Sequence, residues 1–297
     1  MHIKHLLTLS GLPAEDVRAI VIRAAELKRE PSLATSLSRK TLGLIFEKSS
    51  TRTRVAFEVA MTQMDGSSLF LRNSDSQVGR GEPIEDTSRV LSRIVDCLAI
   101  RTDKHSKLES FAEHSMVPVI NALSDRFHPC QLLADMQTFT EKKGSISGKS
   151  VAWIGDGNNV CQSYINAANI FNFELRIGCP KGFEPEKELL LKNADRVFLA
   201  ENPVMAARGA DLVVTDVWAS MGQEKEQAER ASAFEDFQVT AELMSYASKG
   251  AAFMHCLPAH RGEEVTADVL DAKDSIVWDE AENRMHSQKA LLEFFLS

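Results

Sequence analysis

The stretch Ser50-Thr51-Arg52-Thr53-Arg54 holds the densest chemistry in the chain. It follows an apolar run, Leu42–Phe46, and opens a segment with helical spacing. Three hydroxyls, two guanidinium groups and the open backbone N–H groups of a helix start therefore meet in one turn. A phosphate needs those things together: fixed donors, the positive end of a helix dipole and cationic charge. A Ser or Thr before a helix is by itself only an N-cap. Two arginines in the same first turn oppose the dipole, however, and call for an anion or an acidic partner. No Gly-x-x-x-x-Gly-Lys is present, so this is not a Walker loop.

Other polar groups sit where a sheet would gather them. Short apolar runs recur at Leu42–Phe46, Cys97–Ile100, Val117–Ile120, Val151–Ile154, Leu175–Ile177, Val197–Leu199, Leu212–Thr215 and Ala252–His255. Helical spacing lies between them. In Arg52–Met64, for example, Val55 and Val59, and Phe57, Met61 and Met64, recur at three- and four-residue steps. Alternation of this kind predicts βαβ units: α/β architecture with two largely parallel sheets flanked by helices. In such sheets ligands bind beyond the carboxyl ends of the strands. The run ends are followed by Glu47–Arg52, Arg101, Asn121, Gly155–Asn159, Asp216 and Cys256. The polar stretch Glu141–Lys149 ends one helical pattern before a strand, and the domain change is placed near residue 135. The expected domains are 1–134 and 135–283, with a C-terminal helix 284–297 packing back on the first.

Composition narrows the class of function. The chain has 297 residues, 44% hydrophobic and 26% charged, which suits two globular domains. Thirty-four Lys+Arg against 42 Asp+Glu give a formal charge of −8. That balance argues against a nucleic-acid partner, which wants a basic surface. No apolar run approaches the roughly 20 residues of a membrane helix, and the N-terminus does not resemble a signal peptide. The cysteines at 97, 130, 161, 179 and 256 are odd in number and contain no Cys-x-x-Cys pair. Neither a disulfide frame nor a structural zinc site is expected, and reduced thiols point to the cytoplasm. Gly155-Asp156-Gly157-Asn158-Asn159-Val160 raises a dinucleotide-binding alternative, weakened because Val160 stands where the third glycine belongs.

Five motifs carry a family resemblance. Phe46–Arg54 resembles the carbamoyl-phosphate loop of the aspartate/ornithine carbamoyltransferases, in its ornithine-type form. Phe127-His128-Pro129-Cys130-Gln131 resembles the family's His-Pro-x-Gln motif, and Asp216–Gly222 its ornithine-type signature with the Ser-Met-Gly loop. His255-Cys256-Leu257-Pro258 resembles the His-Cys-Leu-Pro motif, and Glu280–Arg284 the C-terminal arginine motif. In family order they span residues 46 to 284.

The resemblance implies two domains joined by long helices, with the active site in the cleft between them. Ser50, Thr51, Arg52 and Thr53 would hold the phosphate of carbamoyl phosphate. Arg101, His128 and Gln131 would surround its carbamoyl end, with Gln77, Cys256, Leu257 and Arg284 as further contacts. Arg101, His128 and the Thr53 hydroxyl would stabilise the oxyanion. Asn159, Asp216, Ser220 and Met221 would bind L-ornithine, the acidic Asp216 taking the α-ammonium. Cys256 would orient the reacting amine with Asp216. It is not read as a covalent nucleophile, because neighbouring His255 on a strand should face the other way. No cofactor and no metal are implied. The implied assembly is a homotrimer or a multiple of it, with the Gln77–Glu82 loop donated across an interface. Ser220–Arg230 has the composition of a covering loop. The implied activity is carbamoyl transfer to ornithine in arginine metabolism. The alternatives are another amine, such as putrescine or acetylornithine, or a non-catalytic anion-binding regulator of the same fold.

Overall fold

The computed structural model describes residues 4–72, 81–219 and 227–297. Gln77, Ser220 and Met221, and most of the expected covering loop, lie outside the described residues. The chain divides into two compact units. One comprises residues 1–137 and 282–297, the other residues 138–281.

In the first unit, β1 (Thr41–Phe46), β2 (Ser67–Arg72), β3 (Cys97–Arg101) and β4 (Val119–Leu123) form a parallel sheet in the order β2-β1-β3-β4. Its helices include α1 (Ala14–Arg29), α2 (Thr51–Gln63), α3 (Ile84–Leu91) and α4 (His105–His114). All five residues of β3 are buried, as a strand covered on both faces requires. Ile45, Leu98 and Ile100 pack with Leu108 and Phe111 of α4. β2 was not among the expected strands. Among the described residues it pairs only with β1, and it alternates between exposed and half-buried positions, so its Ser67-Ser68 start lacks an apolar signature. The expected strand at Val117–Ile120 begins two residues later and runs to Leu123, because Pro118 cannot donate to the ladder. On α2 the stripe through Phe57, Met61 and Met64 is buried, whereas Val55 is 52% exposed.

The second unit holds β5 (Ser150–Ile154), β6 (Glu174–Gly178), β7 (Val197–Leu199), β8 (Leu212–Thr215) and β9 (Ala252–His255), parallel and ordered β7-β6-β5-β8-β9. Ala152, Ile154, Val213 and Phe253 pack with Ala206, Ala207, Leu243, Val269 and Leu270. Two helices cross the division: α5 (Pro129–Lys143), which leaves the first unit, and α12 (Val277–Leu296), which returns to it; α6 (Asn159–Phe171), α7 (Lys187–Lys192), α8 (Pro203–Ala207), α9 (Gln227–Phe234), α10 (Ala241–Ser245) and α11 (Ala267–Leu270) lie between. The returning end of α12 is tied to the first unit. Arg23 Nε donates to Glu293 at 2.7 Å, and Lys28 Nζ to Asn283 Oδ1 at 2.8 Å.

Strand order locates the crevices. In the first sheet, chain progression reverses between β1 and β3; in the second, between β5 and β8. Ligands of open α/β sheets bind outside the carboxyl ends of the strands at such points.

Candidate active site

At the first reversal the chain leaves β1 through Glu47 and enters α2 at Ser50. Ser50 has extended backbone (φ −156°, ψ 115°) and caps the helix, its Oγ accepting from the Thr53 N–H at 3.4 Å. Thr53 is buried and Thr51 and Arg52 are exposed, so the cap hydroxyl and the open N–H groups of the first turn edge the crevice. Of the two arginines that call for an anion or an acidic partner, Arg54 has the acidic one. Its Nε bonds Glu58 at 2.9 Å, and its guanidinium lies 3.7 Å from the centroid of the Phe70 ring. That supplies the acidic partner which its place in the first turn demands.

Thr53 is tied through Arg284 to a wider polar cluster. Arg284 donates through Nη2 to Thr53 Oγ1 at 3.0 Å and through Nη1 to Gln131 Oε1 at 2.6 Å. Gln131 Nε2 in turn donates to Asp135 at 2.8 Å. Arg101, at the end of β3, is 8% exposed and His128, just before α5, 4%. Burial, then the neighbouring Arg284 and Arg101 charges, holds the His128 imidazole well below its usual range. Near neutral pH His128 is thus an uncharged hydrogen-bonding group between two cations. Arg101, His128, Gln131, Arg284 and Thr53 are therefore one cluster, although they span residues 53 to 284.

At the second reversal Gly155 (φ 130°) turns the chain out of β5. A Cβ on Gly157 would come within 2.3 Å of Pro185 N, so this glycine serves close backbone packing. That accounts for the Gly-x-Gly without a dinucleotide. Asn158, not Asn159, caps α6, accepting from Val160 and Cys161 N–H at 3.0 and 3.1 Å. Its amide also donates to Asp216 Oδ2 at 2.7 Å, spanning the reversal. Asp216 Oδ1 accepts from Val217 N–H at 2.8 Å and from the Cys256 thiol at 3.0 Å. Asn159 is the first residue of α6, beside this group, and its carbonyl accepts from Ser163.

His255 makes its hydrogen bonds with groups other than Cys256. Its Nε2 meets buried Glu264 at 2.9 Å, and its Nδ1 accepts the Leu257 N–H at 2.9 Å. Leu257 is thereby held in the left-handed region at φ 56°, before a cis bond to Pro258. Ligand atoms of Asp216, His255 and Cys256 lie within 4.8 Å of one another. They have the ligand types of a zinc centre, but every one of these side chains is already engaged in the hydrogen bonds just described.

Behind Asp216 lies a contact that sequence reasoning missed. Arg230 on α9, 8% exposed at its side chain, meets Asp156 at 2.9 Å and the Trp218 carbonyl at 2.7 Å. Its guanidinium also covers the Phe183 ring at 4.8 Å. Burial pushes the Asp156 carboxyl up to about 6 even beside Arg230. Arg230→Gln is expected to destabilise the chain by about 3–5 kcal/mol at pH 8, because a buried carboxylate loses its cation. The loss is smaller at pH 5, where a protonated Asp156 no longer needs one. Denaturant titrations at the two pH values check the sign.

Two parallel α/β units, one closing on a cationic, hydroxyl-lined helix start and the other on a carboxylate–thiol pair, define a two-domain α/β transferase. The chain belongs to the aspartate/ornithine carbamoyltransferase family. Residues 4–141 match its carbamoyl-P binding domain and residues 147–295 its Asp/Orn binding domain. An ornithine carbamoyltransferase of Methylococcus capsulatus is 60% identical over 99% of both chains, and one of Nitrosococcus oceani 58% over 100% of this chain and 98% of that one. Among solved structures, ornithine carbamoyltransferase from Pyrococcus furiosus superposes with a TM-score of 0.94 at 46% identity, covering 99% of this chain and 97% of that one. The anabolic enzyme from Campylobacter jejuni gives 0.93 at 42% identity, covering 99% of each chain.

Proposed function

We propose that the chain transfers the carbamoyl group of carbamoyl phosphate to the side-chain amine of L-ornithine, giving L-citrulline and phosphate. The observation that carries this reading is the pairing of chemistries at the two strand-order reversals. One holds a neutral imidazole among arginines beside a capped helix start; the other holds a carboxylate with a thiol. Residues 1–134 form the carbamoyl-phosphate half and 135–283 the ornithine half.

The amine attacks the carbamoyl carbon, the carbonyl oxygen gains charge, and the C–O bond to phosphate breaks with its electrons leaving on phosphate. Ser50, Thr51, Arg52, Thr53 and Arg284 hold the phosphate. Arg101, His128 and the Thr53 hydroxyl face the oxyanion; donors already aimed at it lower the barrier without reorganising. Gln131 and the Leu257 carbonyl hold the carbamoyl amide, and Gln77 adds a contact to carbamoyl phosphate. Asp216 takes the α-ammonium, Asn159, Ser220 and Met221 the rest of the amino-acid end, and Cys256 orients the reacting amine. A homotrimer or a multiple of trimers, a cytoplasmic location and a place in arginine biosynthesis complete the reading.

The test is citrulline formation, with putrescine and acetylornithine as competing amines; turnover of either above ornithine overturns the choice of substrate. The attacking amine has a pKa of about 10.4 in water and must first lose its proton. Because His128 stays neutral, kcat/KM for ornithine is expected to climb nearly tenfold per pH unit from 7 to 9. A flat profile with chemistry rate-limiting counts against the mechanism.

A further inference from the structure

The group that spans the reversal in the first sheet is Glu47, which lies inside the Phe46–Arg54 motif but was given no role of its own. β1 and β3 are neighbours with Phe46 opposite Arg101, and the Glu47 N–H extends that ladder by donating to the Arg101 carbonyl at 2.9 Å. On its other side the ladder of β3 to β4 slips at this very residue, where Arg101 pairs with Leu123 and Ala122 is passed over. A bulge re-aims a side chain and weakens the register that holds it. Arg101 is therefore held in regular register from the β1 side.

The Glu47 side chain, 13% exposed, then gathers the loop that follows β3. Its Oε2 accepts from the Thr102 hydroxyl at 2.6 Å and the Asp103 N–H at 3.1 Å. Its Oε1 accepts from Lys107 Nζ at 2.8 Å, and Lys107 also reaches Asp103 Oδ1 at 2.7 Å. The Lys107 contact holds the Asp103 carboxyl below the usual range. Glu47 thus ties the exit of β1, three residues before the Ser50 cap, to Arg101 through its backbone N–H and to the residues that follow Arg101 through its carboxylate. A negative charge beside an anion site opposes the ligand. What it holds in place explains its presence.

We propose that Glu47 is a positioning residue for carbamoyl phosphate: it sets the distance between the phosphate-holding turn at Ser50–Thr53 and the carbonyl-facing Arg101. This rests on the carbamoyl-phosphate reading of that turn. Lys107 belongs to the same device as the counter-charge of Glu47 and Asp103, and is not a phosphate ligand.

The test compares Glu47→Ala, Glu47→Gln and Thr102→Val with the wild-type chain. Steady-state kinetics are run in both substrates, and binding of phosphonoacetamide, a stable analogue of carbamoyl phosphate, is followed by calorimetry. Glu47→Ala is expected to raise the carbamoyl-phosphate KM and the analogue's Kd roughly ten- to hundredfold, because charge-assisted bonds are lost. The ornithine KM should stay within about twofold. Glu47→Gln keeps an oxygen for Thr102 and Asp103 and should recover most of the loss, with Thr102→Val near threefold. A merely structural role would lower the active fraction, and so kcat, leaving both KM values alone. Unchanged carbamoyl-phosphate KM in Glu47→Ala, or equal rises for both substrates, overturns the proposal. Should Glu47→Ala not fold, an unchanged analogue Kd in Thr102→Val combined with Lys107→Met overturns it instead. If the wild-type chain neither binds phosphonoacetamide nor forms citrulline, it is the underlying reading that fails.

Discussion

Arg101→Ala is expected to lower kcat by about 10²- to 10³-fold, a loss of roughly 2.7–4 kcal/mol of transition-state stabilisation. Arg101 ends β3, and the His128 imidazole is held down by burial first, then by the charge of Arg284, which bonds Thr53 and Gln131, and then by that of Arg101. In the attacked carbamoyl group the carbonyl oxygen gains charge that the ground state lacks. A fixed guanidinium therefore contributes more to the transition state than to binding, and KM should move much less than kcat. Arg101→Lys should recover little, because an ammonium cannot reproduce the planar fork. Removing Arg101 also relieves His128 of one neighbouring cation, so its pKa should rise toward the ordinary value. Single-turnover rates with carbamoyl phosphate bound, with circular dichroism as a fold control, measure the effect. Turnover near wild type would end the assignment of Arg101 to the oxyanion.

What sequence alone disclosed followed a physical rule. The capped turn proposed for the phosphate was legible because its residues are consecutive, so Ser50 to Thr53 appear as a word in the chain. Asp216 and Cys256 were legible as polar groups closing apolar runs. Contacts bridging distant segments leave no such trace. Nothing in the spacing links Arg230 to Asp156 or Glu47 to Lys107, because each pairing depends on which strands become neighbours. The ring contact of Arg54 was hidden for the same reason. Its guanidinium covers Phe70, on an edge strand whose serine start hid it. Of the adjacent asparagines at the start of α6 only Asn159 was given a role, by resemblance, and the capping and Asp216 contacts of Asn158 show only once the helix start is drawn. Only the first of them can accept from the N–H groups that follow.

The carboxylate of Asp216 arrives at its site already bonded to Asn158, the Val217 N–H and the Cys256 thiol. Those donors align it but are themselves uncharged, so in the proposed reading the substrate ammonium supplies the charge partner of a group only 7% exposed. Asp216→Asn removes the charge and sets one amide group against Asn158 or Cys256, whichever way it is turned. Catalytic efficiency with ornithine should fall by about 2–5 kcal/mol, or thirtyfold to a few thousandfold, as for other buried charge pairs stripped of one partner. The carbamoyl-phosphate KM should hold, since the anion turn belongs to the other unit. Acetylornithine gives the decisive comparison, because its α-nitrogen carries no charge for Asp216 to meet. The wild-type preference for ornithine over acetylornithine should therefore collapse in Asp216→Asn. If both amines lose the same factor, Asp216 is not reading the α-ammonium, and its work lies with Cys256 at the reacting nitrogen.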